Sequence, residues 1–80
     1  MQIIFAGYGV WNTVKDVTHQ VQLQYDNKLQ PPTRTFYANN RYWGDPYPGE
    51  RKYLFIVWNK AGVHGAGVIG EDDANGITLP

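Results

Sequence analysis

The sequence predicts a small all-β protein, an antiparallel sandwich or barrel of about five to seven short strands. Three observations indicate this class. The chain has 80 residues, enough for one domain over residues 1–80. Glycine occurs 9 times and proline 5 times, and these residues separate short apolar runs. Aromatic residues make up 15% of the chain and favour strands over helices.

The N-terminal half contains one clear strand and one ambiguous segment. Residues 2–8 form an apolar run that ends among glycines, and they predict a first strand. In residues 17–25 the alternation of Val21, Leu23 and Tyr25 with glutamines favours a strand. Val17, Val21 and Tyr25 also have i, i+4 spacing, so a short helix stays open as the alternative. Residues 33–38 are β-branched and aromatic and predict a strand.

The C-terminal half predicts a loop followed by a hairpin. Residues 39–49 are rich in asparagine, glycine and proline, so we expect a long irregular loop. Residues 52–58 are the clearest strand, and residues 59–62 predict a hairpin turn into a strand over 63–69. The pair Asn75-Gly76 predicts a turn before a last short strand at 77–79.

The strand over residues 52–58 is apolar on both faces. Because side chains alternate along a strand, Tyr53, Phe55 and Val57 point to one side. Leu54 and Ile56 point to the other side. A strand buried on both faces needs two covering layers, which 80 residues with little helix do not easily supply. We therefore expect a homo-oligomer, a dimer or larger, that covers the second face.

Composition excludes several classes of function. Seven basic and seven acidic residues balance, so nucleic acid is not expected as a partner. The chain contains neither cysteine nor serine, which removes these nucleophiles, disulfides and thiolate–zinc sites. No apolar run is long enough to span a membrane. The start of the chain lacks a signal-peptide pattern, so we expect a cytoplasmic or non-classically secreted protein.

The loop over residues 39–49 is the first candidate for a binding site. Aromatic faces stack on the apolar face of a sugar ring, while amide, carboxylate and guanidinium groups bind its hydroxyls. This loop has both kinds of group, and its candidate residues are Asn40, Arg41, Tyr42, Trp43, Asp45 and Tyr47. Trp11 and Asn12 supply a second platform. The alternative is that Tyr42 and Trp43 fold back over a small core.

Other polar residues carry weaker signals. His64 lies between glycines and is a candidate donor to a bound hydroxyl, although an exposed strand histidine is the commoner outcome. The acidic residues at 71–73 are typical of a solvated turn, and a calcium site is the weaker alternative because no twelve-residue loop with a closing glutamate surrounds them. No metal or cofactor is predicted. A carboxylate pair, Asp45 with Glu50 or Glu71, is the best catalytic arrangement available, and we expect no enzyme.

One motif resembles a known family. The run from Gly44 to Gly49 reads Gly-Asp-Pro-Tyr-Pro-Gly and precedes an apolar strand. It is similar to the β-rich C-terminal domain of one class of DnaJ-type co-chaperones and to small stand-alone relatives in fungi and bacteria. Tyr8-Gly9, Asp16-Val17-Thr18 and Leu79-Pro80 also match that pattern. In that family a short helix often follows the Asp-Val-Thr segment, and the glutamine-rich run here departs from it.

Two functions follow from these observations. The aromatic loop predicts a non-catalytic, lectin-like carbohydrate-binding protein that gains avidity by self-association. The resemblance implies a non-catalytic β domain and, as the alternative, a protein–protein interaction or assembly module.

Overall fold

The computed structural model describes residues 1–80 and confirms the all-β class, with 41% of residues in strands and 15% in helices. It has six strands and two short helices. The strands are β1 (Gln2–Val10), β2 (Thr13–Asp16), β3 (Thr35–Phe36), β4 (Tyr53–Lys60), β5 (Val63–Gly70) and β6 (Ile77–Thr78). The helices are α1 (Thr18–Tyr25) and α2 (Asn40–Trp43).

Four strands form one antiparallel sheet in the order β2-β1-β4-β5. Trp11 and Asn12 form the two-residue turn between β1 and β2, where Val10 pairs with Thr13. Ala61 and Gly62 join β4 to β5, and both have positive φ, 52° and 85°. Such primed turns match the twist of the strands that they join. Strands β3 and β6 form a separate two-stranded sheet.

One face of the four-stranded sheet carries the core. Helix α1 packs against β1, and Ile77 of β6 lies beneath Gly67 of β5. The largest fully buried apolar side chains on this side are Tyr8, Phe36, Trp43, Leu54 and Ile56. The second layer is therefore made of one helix and a small sheet, so the four-stranded sheet is covered on one side only.

The strand interpretation of residues 17–25 is wrong, and the helix alternative is confirmed. Val17, Val21 and Gln24 are buried at i, i+4 and i+7 spacing, which a strand cannot place on one face. The helix also brings the Gln22 side chain to the β1 edge. There its Oε1 accepts a hydrogen bond from Ile3 N at 2.7 Å, beyond the end of the short strand β2.

The junction between β2 and α1 depends on Asp16 and Thr18. Asp16 Oδ1 accepts hydrogen bonds from the Thr18 hydroxyl at 2.6 Å and the Thr18 amide at 2.9 Å. These bonds to the charged carboxylate lower the pKa of Asp16. Thr18 Oγ1 in turn accepts from Ala6 N, so the start of α1 is fixed to β1.

Two further predictions are corrected. The strand expected over residues 33–38 has only two residues, Thr35–Phe36. The expected irregular loop over 39–49 contains helix α2, because Asn39 caps it: its Oδ1 accepts from Tyr42 N at 2.8 Å. The predicted hairpin at 59–62 is confirmed, as are the strands on either side of it.

The outer face of the sheet, opposite the core, is apolar and has no covering layer. Phe5 and Phe55 pack there with ring centroids 5.5 Å apart, directly over Gly7. The other apolar side chains on this face are Val14, Tyr53, Val57, Ala66 and Val68. The oligomer that would cover this face stays a prediction. Neither helix has the length and apolar character to cross a bilayer.

Candidate functional site

A groove opens at one end of the outer face. It lies between the β1–β2 turn and the segment that leads into β4, and has a volume of about 730 Å³. Small-molecule sites typically fall in this range of volumes. The residues that matter for its chemistry are Trp11, Asn12, Tyr47, Glu50, Arg51 and Tyr53. We call it the Trp11 groove.

Four aromatic rings line the Trp11 groove: Phe55 is half-buried, and the other three are open to solvent. Trp11 is 91% exposed, while Tyr47 and Tyr53 are 42% and 43% exposed. The pairing of Gly9 with Tyr53 brings the Trp11 turn beside the start of β4. An indole that exposed makes almost no contact with its own chain, so its apolar surface is free to bury against a ligand.

Polar groups lie among these rings. The Arg51 guanidinium lies 5.6 Å from the centre of the Tyr53 ring, and its Nε donates to Glu71 O at 3.4 Å. Glu50 and Arg51 are exposed and form no ion pair within the chain. Asn12 is exposed in the same turn as Trp11. The Trp11 groove thus offers a carboxylate, a guanidinium and an amide beside aromatic faces.

A buried lysine holds the Tyr47 wall in place. Lys52 Nζ lies 2.9 Å from Asp45 Oδ1 and 3.4 Å from Glu71 Oε1, and donates to Tyr47 O at 3.3 Å. The contact with Asp45 raises the pKa of Lys52. Asp45 also accepts from Tyr47 N at 3.3 Å. Asp45, predicted to bind a sugar, is therefore committed to an ion pair that positions Tyr47.

The other loop residues lie away from the Trp11 groove. Trp43 is 1% exposed and its Nε1 donates to Tyr37 O at 2.7 Å, so its prediction as a stacking platform is corrected. It fills the core, as the structural alternative held. Tyr42 remains 40% exposed, but its hydroxyl accepts from Gln24 Nε2 at 3.2 Å.

Asn40, Arg41 and His64 are also outside the Trp11 groove. Asn40 Oδ1 accepts from the buried Tyr8 hydroxyl at 2.7 Å, which gives it a structural role. Arg41 is exposed beside the acidic turn, in a separate depression without apolar walls. His64 is exposed opposite Asn59, about 20 Å along the sheet from Tyr53. The structure brings together Trp11, Asn12 and Tyr47 of the predicted set.

Sequence reasoning missed Arg51 and Tyr53 and considered Glu50 only as a catalytic carboxylate. Strand periodicity correctly places Tyr53 in a strand but does not say which face of that strand stays open. The useful signal was the two-sided apolar pattern of β4, since the face that cannot be covered is where a ligand fits. The register that places Trp11 opposite these residues is a long-range property of the fold.

The acidic turn is engaged in local contacts. Asp73 Oδ1 accepts from both nitrogens of Asn75, and Glu71 Oε1 accepts from Lys52 N. No group of three or more histidine, aspartate or glutamate side chains is placed to hold a metal ion.

A comparison of the chain with protein-family models, curated proteins and solved structures found no match. The resemblance to a co-chaperone domain therefore stays a prediction.

Proposed function

We propose that the protein is a non-catalytic carbohydrate-binding module and that the Trp11 groove is its binding site. The observation that carries this proposal is the 91% exposure of Trp11 beside two further exposed aromatic rings. Self-association adds avidity to a weak single site. The proposed site therefore lies at the β1–β2 turn rather than in the loop around Trp43.

The chemistry of the Trp11 groove matches a sugar better than a wholly apolar ligand. A pyranose ring presents C–H groups on one face, which suit Trp11 and Tyr53, and hydroxyls on its rim. Glu50 accepts hydrogen bonds from hydroxyls, while Arg51 donates them. Tyrosine and tryptophan give large contact area at low cost in side-chain entropy, which favours binding by a small rigid site.

The single carboxylate of the Trp11 groove supports binding rather than glycoside hydrolysis. Hydrolysis in most glycosidase families uses two carboxyl groups that flank the bond. Glu50 is the one carboxylate that lines the groove. The proposed catalytic partners Asp45 and Glu71 both contact the buried Lys52 ammonium instead.

A glycan array with purified protein tests the proposal. We expect saturable binding to a defined set of sugars, at least about tenfold weaker in Trp11→Ala, because an exposed anchor contributes much of the energy of a small site. Tyr47→Ala and Tyr37→Ala form a matched pair, since these rings are 42% and 44% exposed. Only Tyr47 lines the Trp11 groove, so only Tyr47→Ala should weaken binding.

Circular dichroism of each variant shows whether the fold survives. Sugar binding that is unchanged in folded Trp11→Ala would contradict the assignment of the groove. No binding to any sugar on a broad array would contradict the proposed function.

A second function, a protein–protein interaction module, is favoured by the open outer face. Phe5, Phe55 and Val57 are half-buried there, and Val68 is 68% exposed. Val57→Lys would abolish the binding of a protein partner that covers this face, whereas Trp11→Ala would weaken that binding less. Pull-down with a protein bait, compared with the glycan array, separates the two functions.

A further inference from the structure

Strand β5 is an unprotected sheet edge. It has eight residues, Val-His-Gly-Ala-Gly-Val-Ile-Gly, with no proline and no lysine, arginine or carboxylate. Natural proteins usually protect an edge with charge, proline, a bulge or a short strand. The opposite edge, β2, follows this rule, since it has four residues and carries Lys15 and Asp16. Strand β5 uses none of these devices and pairs with β4 without a register shift.

The two-residue hairpin fixes which backbone groups of β5 are free. In such a hairpin the residues that flank the turn, Lys60 and Val63, form a hydrogen-bonded pair. Alternation then directs the backbone groups of His64, Ala66 and Val68 away from β4. These three residues are exposed, and none of their N–H or C=O groups takes part in the bonds of turns, loops or side chains.

The free stretch ends before Gly70. Its carbonyl already accepts a hydrogen bond from Asp73 N at 3.1 Å, and Gly70 itself is buried. The available edge therefore consists of residues 64–68, with Ala66 at its centre.

We propose that β5 pairs in antiparallel orientation with β5 of a second copy of this chain, about a two-fold axis at Ala66. In this register Ala66 faces its own copy, and His64 faces Val68. The three pairs form about six hydrogen bonds, because each exchanges two. Opposite residues share a face of the sheet, so the outer-face side chains of both copies stay on one side. The pairing doubles the four-stranded sheet.

Charge supports the same arrangement. Antiparallel pairing brings the hairpin tip of one copy beside the acidic turn of the other. Lys60 at the tip and Asp72 in the turn are both exposed and have no ion-pair partner within the chain. Opposite charges therefore meet at both ends of the paired strands. With a formal net charge of zero, the two copies do not repel each other overall.

This pairing goes beyond the proposed function and does not depend on sugar binding. It leaves the Trp11 groove open, since no residue of β5 lines the groove. A dimer that stacked the two outer faces would bury the groove. The edge pairing instead places both grooves on the same side of one continuous sheet.

Single-cysteine cross-linking tests the register in a chain that has no cysteine of its own. Directly opposed residues have Cα atoms about 5.5 Å apart, so a short bis-maleimide should link Ala66→Cys into a dimer. Val68→Cys is the matched control on the same strand. Its two copies lie about 13 Å apart along the strand and should link at least about tenfold more slowly. Equal linking of the two variants would overturn the register.

Charge substitutions test the edge itself, with light scattering and sedimentation as the measurements. Ala66→Lys places two like charges opposite each other and should weaken the dimer at least about tenfold. Val14→Lys puts the same charge on the other edge strand of the same face and should leave the dimer intact. Dissociation by Val14→Lys to the same extent would assign the interface to the outer face and overturn the proposal. A wild-type chain that remains monomeric at tens of micromolar would also overturn the proposal.

Discussion

Tyr8 is wholly buried, yet its hydroxyl has a partner that ties β1 to helix α2. The hydroxyl donates to Asn40 Oδ1 at 2.7 Å. We predict that Tyr8→Phe lowers the free energy of unfolding near neutral pH by about 1–2 kcal/mol, because the Asn40 oxygen loses its donor. Urea denaturation measures the loss. Tyr37→Phe is the control, since that hydroxyl is exposed and makes no hydrogen bond within the chain; it should change stability by less than about 0.5 kcal/mol.

The stability of Tyr8→Phe should also depend on alkaline pH differently from that of the wild type. Burial raises the pKa of the Tyr8 phenol above the ordinary value of about 10. Nearby carboxylates act in the same direction; they belong to Glu71, Asp45 and Asp72. The folded chain therefore holds this proton more tightly than the unfolded chain, and stability decreases as pH rises above about 10.

Lys52 also makes the free energy of unfolding decrease as pH rises, because its pKa is raised in the folded chain. Tyr8→Phe keeps the Lys52 contribution and lacks the Tyr8 contribution. Its free energy of unfolding should thus fall less steeply than wild type between about pH 9 and pH 11. Parallel curves for the two proteins would contradict the burial of the phenol.

The two tryptophans of the predicted site show where residue-level reasoning ends. Trp11 is 91% exposed and Trp43 is 1% exposed, although both stand in segments rich in asparagine or glycine. Trp43 is buried because it lies on helix α2, whose cap at Asn39 directs the indole toward the core. Asn39 is recognisable as a cap from its residue type, but the burial of Trp43, whose Nε1 donates to Tyr37 O at 2.7 Å, is a tertiary property. The two-residue turn between β1 and β2, by contrast, has no other element packed over it, and Trp11 and Asn12 are both exposed.

Helix α1 carries two glutamines with different tasks, and they allow a test at the level of the element. Gln22 Oε1 accepts from Ile3 N at 2.7 Å, and its Nε2 donates to Met1 O at 3.2 Å. Gln20 makes no side-chain hydrogen bond within the chain. We predict that Gln22→Ala costs about 1–2 kcal/mol of stability, because Ile3 N loses its acceptor.

Gln20→Ala makes the same chemical change in the same helix and should alter stability by less than about 0.5 kcal/mol. Amide hydrogen exchange at Ile3 gives a second measurement, and it should speed up in Gln22→Ala alone. Equal effects of the two variants would show that the helix, rather than the β1 edge, depends on these side chains.

The hydrogen bonds of the α1 glutamines also explain why the strand interpretation of residues 17–25 is wrong. Alternating glutamines fit a half-buried strand by period alone. In the structure Gln22 bonds to the edge of β1, and Gln24 lies in the interior, where it is 1% exposed. Polar side chains that bond to a neighbouring backbone break the rule that equates polar with exposed. The C-terminal hairpin was predictable because its turn and both of its strands are set by local sequence.

At the scale of the whole molecule, the one-sided core sets the functional possibilities. Strand β4 is apolar on both faces, and the chain covers only one of them with α1 and the β3–β6 sheet. The uncovered face was foreseeable from sequence; the position of the Trp11 groove on it was not, because the groove needs the pairing of β1 with β4. The groove lies at one end of the open face and none of its lining residues belongs to the β5 edge, so the proposed sugar binding and the proposed edge pairing use different residues.

That separation leads to a joint prediction for binding and assembly. If β5 pairs across a two-fold axis, both Trp11 grooves face the same side, and a dense glycan surface engages them together. Linked sites of this kind commonly gain about 10²–10⁴ in apparent affinity. Ala66→Lys should therefore bind a free monosaccharide within about twofold of wild type, since Ala66 does not line the groove, yet lose this gain on a dense surface.

Calorimetry with free sugar and surface binding at high and low glycan density measure the two quantities. His19→Lys adds the same charge on exposed helix α1 and should retain the gain. A folded Ala66→Lys that no longer bound free sugar would show that the edge and the groove are coupled. A monomeric Ala66→Lys that kept the full gain would show that avidity comes from more than one site within a single chain, and the edge would then have no part in glycan binding.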